Sequence, residues 1–204
     1  LAVRVLGSGD TAAAARWDAF VLGCHEATFF HRAGWLDIIE GVFRHRAHFL
    51  YAERAGEMVG VLPLAHVRSR LFGNALVSLP FAVYGGVAAD SPEAAAALED
   101  EAQALAQRLG VSHLELRNIA ARHPDWPTQD LYVTFRKDIL PDVEANMLAI
   151  PRKQRAMVRF FFNDTATTEI YTTADRFFRL YADNVHRHGT PALPAKYFAA
   201  LQRT

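Results

Sequence analysis

Cysteine is almost missing from this chain. Cys24 is the only one among 204 residues, so an internal disulfide, a Cys-x-x-Cys pair and a cysteine-rich metal site are all excluded. A reducing compartment, the cytoplasm, is the expected location. A charge surplus is missing as well: 22 Lys plus Arg stand against 22 Asp plus Glu. A dedicated duplex-binding protein would carry a basic excess, so no duplex DNA partner is expected, while a local basic site stays compatible with the sequence. No apolar run is long enough for a bilayer. The uncharged stretch Asn74 to Ala89 is broken by Pro80 and by Gly85-Gly86, so no transmembrane segment is expected. No secretory signal is read at the start. Nine histidines are present, yet no His-Glu-x-x-His or Cys/His framework accompanies them, and no metal is expected at pairs such as His45 and His48 or His186 and His188. The first residue is Leu rather than Met, and the last residues fall inside a helical pattern. On that basis the chain is read as a fragment.

What is present is enough apolar material, 51% of residues, for a sizeable core. A β-like run at Ala2 to Leu6 ends in Gly7-Ser8-Gly9. Asp10 or Thr11 then caps a helix to about Leu22, with Trp17, Phe20 and Val21 inward. Trp35, Ile38, Ile39 and Val42 fall at i, i+3, i+4 and i+7, which predicts one helix over 32–43. His48 to Arg54 and Met58 to Val67 flank Ala55-Gly56-Glu57 as a hairpin. Pro63 inside the second strand predicts an edge position or a bulge there. A strand from Leu71 to Leu79 leads into the loop Pro80 to Gly86. Ser91-Pro92-Glu93 opens a helix that Gly110 closes. Ser112 to Leu116 and Leu131 to Asp138 complete the strands.

The fold class expected is α/β (α+β): a mixed sheet flanked by helices, one complete unit followed by the truncated start of a second. The unit covers 1–138, connecting helices 139–159, and the second start 174–204. Two consecutive helices, Asp175 to His188 and Pro194 to Arg203, repeat the early helix pair weakly, with Trp35 and Tyr197-Phe198 in corresponding places. Segment 160–173 does not fit. Its run Asn163 to Thr172 resembles the conceptual translation of a common short-read sequencing adapter, and on that reading it is an artefact without function.

The connecting segment carries the strongest chemical signal. Val143, Met147 and Ile150 share a face of a short helix. Pro151 then opens a basic helix in which Arg152, Arg155 and Arg159 fall at i, i+3 and i+7, with Lys153 beside them. Three arginines on one face suit a pyrophosphate or a nucleic-acid backbone. A solvated basic face is the equally simple alternative.

The helix with Trp35, the strand Val59 to Leu64, the loop Leu79 to Gly86 and the segment Arg152 to Arg159 together resemble FemAB-related proteins, in particular those associated with PEP-CTERM/exopolysaccharide gene systems. The resemblance implies tandem GNAT-type acyltransferase units acting on a cell-envelope or exopolysaccharide precursor. It also implies no tightly bound cofactor, with acyl-CoA or aminoacyl-tRNA as a donor co-substrate. The partners implied are an anionic precursor and, in the aminoacyl case, tRNA. Coenzyme A-dependent GNAT enzymes seat the pyrophosphate on a glycine-rich loop opening a helix. Here 85–91 has two glycines, no basic residue, and Asp90 at the helix mouth, where a carboxylate repels phosphate. The first unit is therefore expected not to hold coenzyme A. Gly85 and Gly86 read either as a tight turn or as a substrate-lining loop, and Tyr84 either as a groove residue or as a half-buried tyrosine. Glu115 and Asp125 are bases by residue type alone, and Cys24 has no base partner in view.

A non-catalytic binding module on the same scaffold is the second reading.

Overall fold

The structure is a computed structural model that describes residues 1–69, 73–129, 134, 137–155, 174–187, 189 and 191–204. One mixed sheet forms its centre. In chain order come β1 (Ala2–Val5), α1 (Thr11–Gly23), a 3-10 turn (Phe29–His31), α2 (Trp35–Asp37) running on as a π-helical turn (Ile38–Val42), β2 (Arg46–Arg54) and β3 (Glu57–Ser69). Then follow β4 (Gly73–Ser78), β5 (Ala88–Ala89), α3 (Pro92–Leu109), β6 (His113–Glu115), α4 (Val143–Leu148), α5 (Ala174–Arg187) and α6 (Ala195–Leu201). The strand order is β1-β2-β3-β4-β6, with β5 also on β3. All neighbours are antiparallel except β4 and β6, which pair in parallel from Ala75↔His113 to Val77↔Glu115. The expected mixed sheet with flanking helices is the fold observed.

Alternation along the strands builds two cores. Phe49 and Tyr51 of β2 with Val61 and Ala65 of β3 face α1 and α2, where Trp17 stacks on Phe49 at 5.4 Å. Leu50, Leu62, Leu64 and Leu76 face α3 with Leu98, Ala102 and Leu105. A bulge adjusts this pattern. Ala52 pairs with Gly60 and Glu53 with Met58, so Val59 is the extra residue, and it joins the α3 side.

The signals that were local held. The Asp10 carboxylate caps α1 on the Ala13 amide. Ser91 caps α3, Pro92 starts it, and Gly110 ends it at φ 59°. The helix read over 32–43 needs correction. It is a non-helical turn at 32–34, three α residues and a π turn, in which Phe43 N–H donates to Ile38 O and His45 N–H to Ile39 O. The apolar period is still obeyed, since Trp35, Leu36, Ile38 and Ile39 are buried. What breaks the regular helix is glycine at both ends, Gly34 at the start and Gly41 inside the π turn.

Pro63 marks a place the sequence only half disclosed. β3 is a central strand, not an edge. Its neighbour pairs up to Leu64↔Ser78 and resumes at Val61↔Ala88. Thus two residues, Leu62 and Pro63, lie opposite the nine residues 79–87, which leave the sheet as an excursion. The Pro63 carbonyl accepts from Leu79 N–H at 3.0 Å, so its nitrogen faces the same gap and the missing N–H leaves no ladder bond broken. The strand read over 131–138 lies mostly outside the described residues; Thr134, Lys137 and Asp138, which are described, belong to no strand. Segment 160–173 lies outside them entirely.

The last helix returns to the first core. Tyr197 and Ala200 of α6 are buried there, with Tyr197 rings 6.2 Å from Trp35 and 5.6 Å from Phe43. The two aromatic positions matched in the weak repeat are therefore in contact. α5 joins through Tyr181 and Phe198, at 4.9 Å.

Candidate functional site

Excursion 79–87 closes the opening between the parallel strands. Beyond Val77↔Glu115 main-chain pairing stops, and side chains and loop take over. Arg117 N–H donates to Ser78 Oγ at 2.7 Å, and both Gly85 and Gly86 N–H donate to Arg117 O, at 3.2 and 3.0 Å. The Arg117 guanidinium donates back to Ala82 O at 2.8 Å and to Glu115 at 2.7 Å. A Cβ on Gly85 would collide with Leu79 Cβ, and one on Gly86 with the Asn118 amide, which makes both glycines close-approach positions. Two bulky residues of the loop sit in the left-handed region, Leu79 at φ 49° and Phe81 at φ 69°. Such backbone costs of order 1–3 kcal/mol each and persists only where packing over-determines it. Leu79 is fully buried, and Phe81 stacks on Phe43 at 3.8 Å.

A buried histidine fastens the loop from the other side. His31 Nδ1 accepts from Thr28 N–H at 3.0 Å, so Nε2 carries the proton and donates to Gly86 O at 3.0 Å. This is a capping box with His in the place of Glu. Burial pushes the His31 pKa down, against the smaller effects of Gly86 and Thr28. The ring is a neutral strut.

Two adjoining cavities lie beside it. The larger, about 340 Å³, is lined by His25, His31, Gly86 and Asn118; the smaller, about 120 Å³, by Asp90, Ser91 and Ala89. Glu26 and Arg122 line both. Arg122 is aimed by Glu99, a buried carboxylate on α3 that accepts from Arg122 Nε at 2.9 Å and from His123 at 3.0 Å. Trp126 covers His123 at 4.4 Å. Sequence reading missed this group. Its signal was there: Ala95, Leu98, Glu99 and Ala102 fall at i, i+3, i+4 and i+7, so Glu99 is a charge on the buried stripe of α3.

The residues nominated from sequence are dispersed. Gly85 and Gly86 belong to the closed loop, with Gly86 also on the larger cavity, and Tyr84 is half-buried in the same loop. Arg152 and Lys153 are exposed on the helical turn 152–155. Arg155 is half-buried, and its guanidinium holds the end of α4, donating to Leu148 O at 2.9 Å and Ile150 O at 3.0 Å. Arg159 lies outside the described residues, as does His188. At the mouth of α3, Arg54 reaches Ser91 and Glu93 from β2, and Arg122 borders the cavity there, so cations absent from 85–91 arrive from elsewhere in the chain. Among the described residues, no group of three or more His, Cys, Asp or Glu could hold a metal ion. No described helix is long and apolar enough to cross a membrane.

The architecture is a mixed sheet with flanking helices and one parallel strand pair. FemX has the same fold over 98% of this chain, at a TM-score of 0.64 and 15% identity. The chain spans about half of FemX, 54% of its length. A GNAT family acetyltransferase from Staphylococcus aureus overlaps 68% of the chain and 98% of its own length, with a TM-score of 0.45 and 9% identity. An aminoglycoside antibiotic 6'-N-acetyltransferase from Acinetobacter haemolyticus overlaps 68% and 99%, with 0.44 and 13%. No protein-family model and no curated protein matches the sequence.

Proposed function

We propose that this chain belongs to an acyltransferase that moves an acyl or aminoacyl group onto an amine of a cell-envelope or exopolysaccharide precursor in the cytoplasm. The observation that carries the reading is the FemX-like fold along 98% of the chain. In this proposal the unit formed by β1 to β6 holds the precursor rather than the donor. Its strand opening is filled by 79–87, and Asp90 and Glu93 stand at the mouth of α3. Acyl-CoA or aminoacyl-tRNA would then reach the acceptor from another part of the protein, with a second GNAT-like unit beginning at 174 as the place for it.

Arg152 and Lys153, with Arg159, would meet the anionic part of the precursor. Both described members are exposed and separate from the C-terminal carbonyls that occupy Arg155. A pyrophosphate linked to a sugar matches such a pair as point charge and fork. The test is calorimetric titration of the 204-residue chain with UDP-N-acetylglucosamine. Binding that weakens at least about tenfold in R152A/K153A, which loses two charge-assisted contacts, supports the proposal; identical binding by the variant overturns the assignment of these residues.

A second reading is a GNAT-like module that binds a precursor or an assembly partner without catalysis. The filled strand opening favours it. Transfer of label from acetyl-CoA or from aminoacyl-tRNA to an amine-bearing precursor by the intact protein would rule it out. Retained precursor binding with no transfer from either donor would support it.

A further inference from the structure

The cavities between the α1 end, excursion 79–87 and the residues after β6 have a charge arrangement that the acyltransfer proposal does not use. The smaller one is bordered by two carboxylates, Glu26 and Asp90. The larger one is bordered by Asn118 and His25, and Arg122 stands where the two meet. Each charged group but Asp90 is held by a second contact. Glu26 accepts from Ala89 N–H at 3.3 Å. Arg122 is fixed through Nε by Glu99, whose side chain is 4% exposed, and among the described residues nothing else bonds its guanidinium, so the terminal nitrogens can meet a ligand. Asn118 accepts from Val87 N–H through Oδ1, which leaves its amide N–H2 as the donating end.

We propose that these adjoining cavities bind a zwitterionic amino carboxylate, with its ammonium between Glu26 and Asp90 and its carboxylate on Arg122. A guanidinium held by a buried acid is pre-oriented, so little side-chain entropy is lost when a carboxylate docks on it. Two carboxylates in a space of about 120 Å³ favour a small cation over an anion there. The remaining volume, about 340 Å³, accepts a side chain of ordinary size. Away from Glu26, Arg122 and His25 its wall is Val87, Ile119, Ala120 and the His31 ring, whose Nε2 donates to Gly86 O. The ligand chemistry is shared by a free amino acid and by the amino-carboxylate end of a larger molecule. The site is separate from Arg152 and Lys153, so it stands whether or not the acyltransfer proposal does.

Titration calorimetry on the 204-residue chain separates the cases. The probes are L-alanine and L-lysine for a free amino acid, and Nε-acetyl-L-lysine for an end presented by something larger. Acetate and methylamine are the half-ligands. Saturable binding of any of the three zwitterions, with each half-ligand at least about tenfold weaker, is the expected result. Preference for L-alanine or L-lysine assigns a free amino acid, and preference for the acetylated probe assigns the larger source. E26Q should weaken binding about tenfold with thermal unfolding unchanged, because Glu26 is exposed. R122Q should do the same, but it also frees Glu99, so E26Q decides if R122Q is unstable. Acetate binding as tightly as the zwitterions, E26Q binding like the parent, or no zwitterion binding up to about 10 mM overturns the proposal.

Discussion

The excursion 79–87 and the segment 137–155 were the two stretches that stood out chemically in the sequence, and they are opposites in the folded chain. In the excursion, Leu79, Ala82, Gly85, Gly86 and Val87 are buried, and main-chain groups close on Arg117 and His31. In the segment, α4 buries no residue, and Ile139 and Val143 are 88% and 72% exposed. The first is held by this unit's own packing. The second is tied together by bonds within itself, Asn146 to Leu140 and Arg155 to the end of α4. The largest expected effect follows from that contrast. Gly86→Ala places a Cβ against Asn118, 2.7 Å from its Cα, where only backbone movement relieves the overlap. Urea unfolding should show a loss of at least about 3 kcal/mol. Gly41→Ala, with nothing within 4 Å of the added Cβ, should be no less stable than the parent. Equal losses at both positions would mean that the loss at Gly86 does not come from its close approach to Asn118.

The second effect probes how the loop after β6 is held. Glu99→Ala leaves Arg122 and His123 without the buried carboxylate. Breaking a fully buried pair costs about 3–5 kcal/mol, and roughly half of that is expected here because both cations are partly solvated. Thermal unfolding measures the loss. A Glu99→Leu variant as stable as the parent would mean that the ion pair orients Arg122 without adding stability.

Legibility followed the range of the determining interactions. α3 was readable end to end, because Ser91, Pro92 and Gly110 act on their own helix. β5 was not, since two residues become a strand only by pairing with Gly60 and Val61. Pro63 told that something irregular lay beside it, but not that nine residues would leave the sheet there. Gly85 and Gly86 were read as permitting close backbone approach, and the partners doing the approaching, Arg117, Asn118 and His31, come from distant parts of the chain. Arg155 shows the limit from the other side: spacing placed it on a basic face, and the carbonyls that occupy it could be found only in the folded backbone.

The third effect is a slope. His31, His45 and His48 all have their pKa lowered, in each case chiefly by burial, with His66 adding to the last two and Arg46 to His48. A histidine lowered in the fold binds fewer protons folded than unfolded between its folded value and about 6.5. Stability is therefore complete above that pH and falls as pH drops through the window. Unfolding measured at pH 7.5 and pH 5.5 should show the loss, and His31→Gln should make it shallower by removing one of the three contributors. An unchanged slope in His31→Gln would mean that the loop strut titrates normally.

The smallest effects belong to the exposed segment, and their smallness is the point of measuring them. Arg155→Ala removes the donors to Leu148 and Ile150 carbonyls, worth about 1 kcal/mol to a helix end. That change should appear as faster amide exchange within 143–150 and not as a global shift. Arg152→Ala with Lys153→Ala should leave both exchange and unfolding unchanged, because neither exposed side chain supports packing. If that pair proves destabilising, the basic turn is part of the scaffold, and its role as a meeting point for an anionic precursor loses its physical basis. If it is silent for stability and weakens anionic-ligand binding, the segment is a surface kept for a ligand, in contrast to the loop that this unit closes on itself.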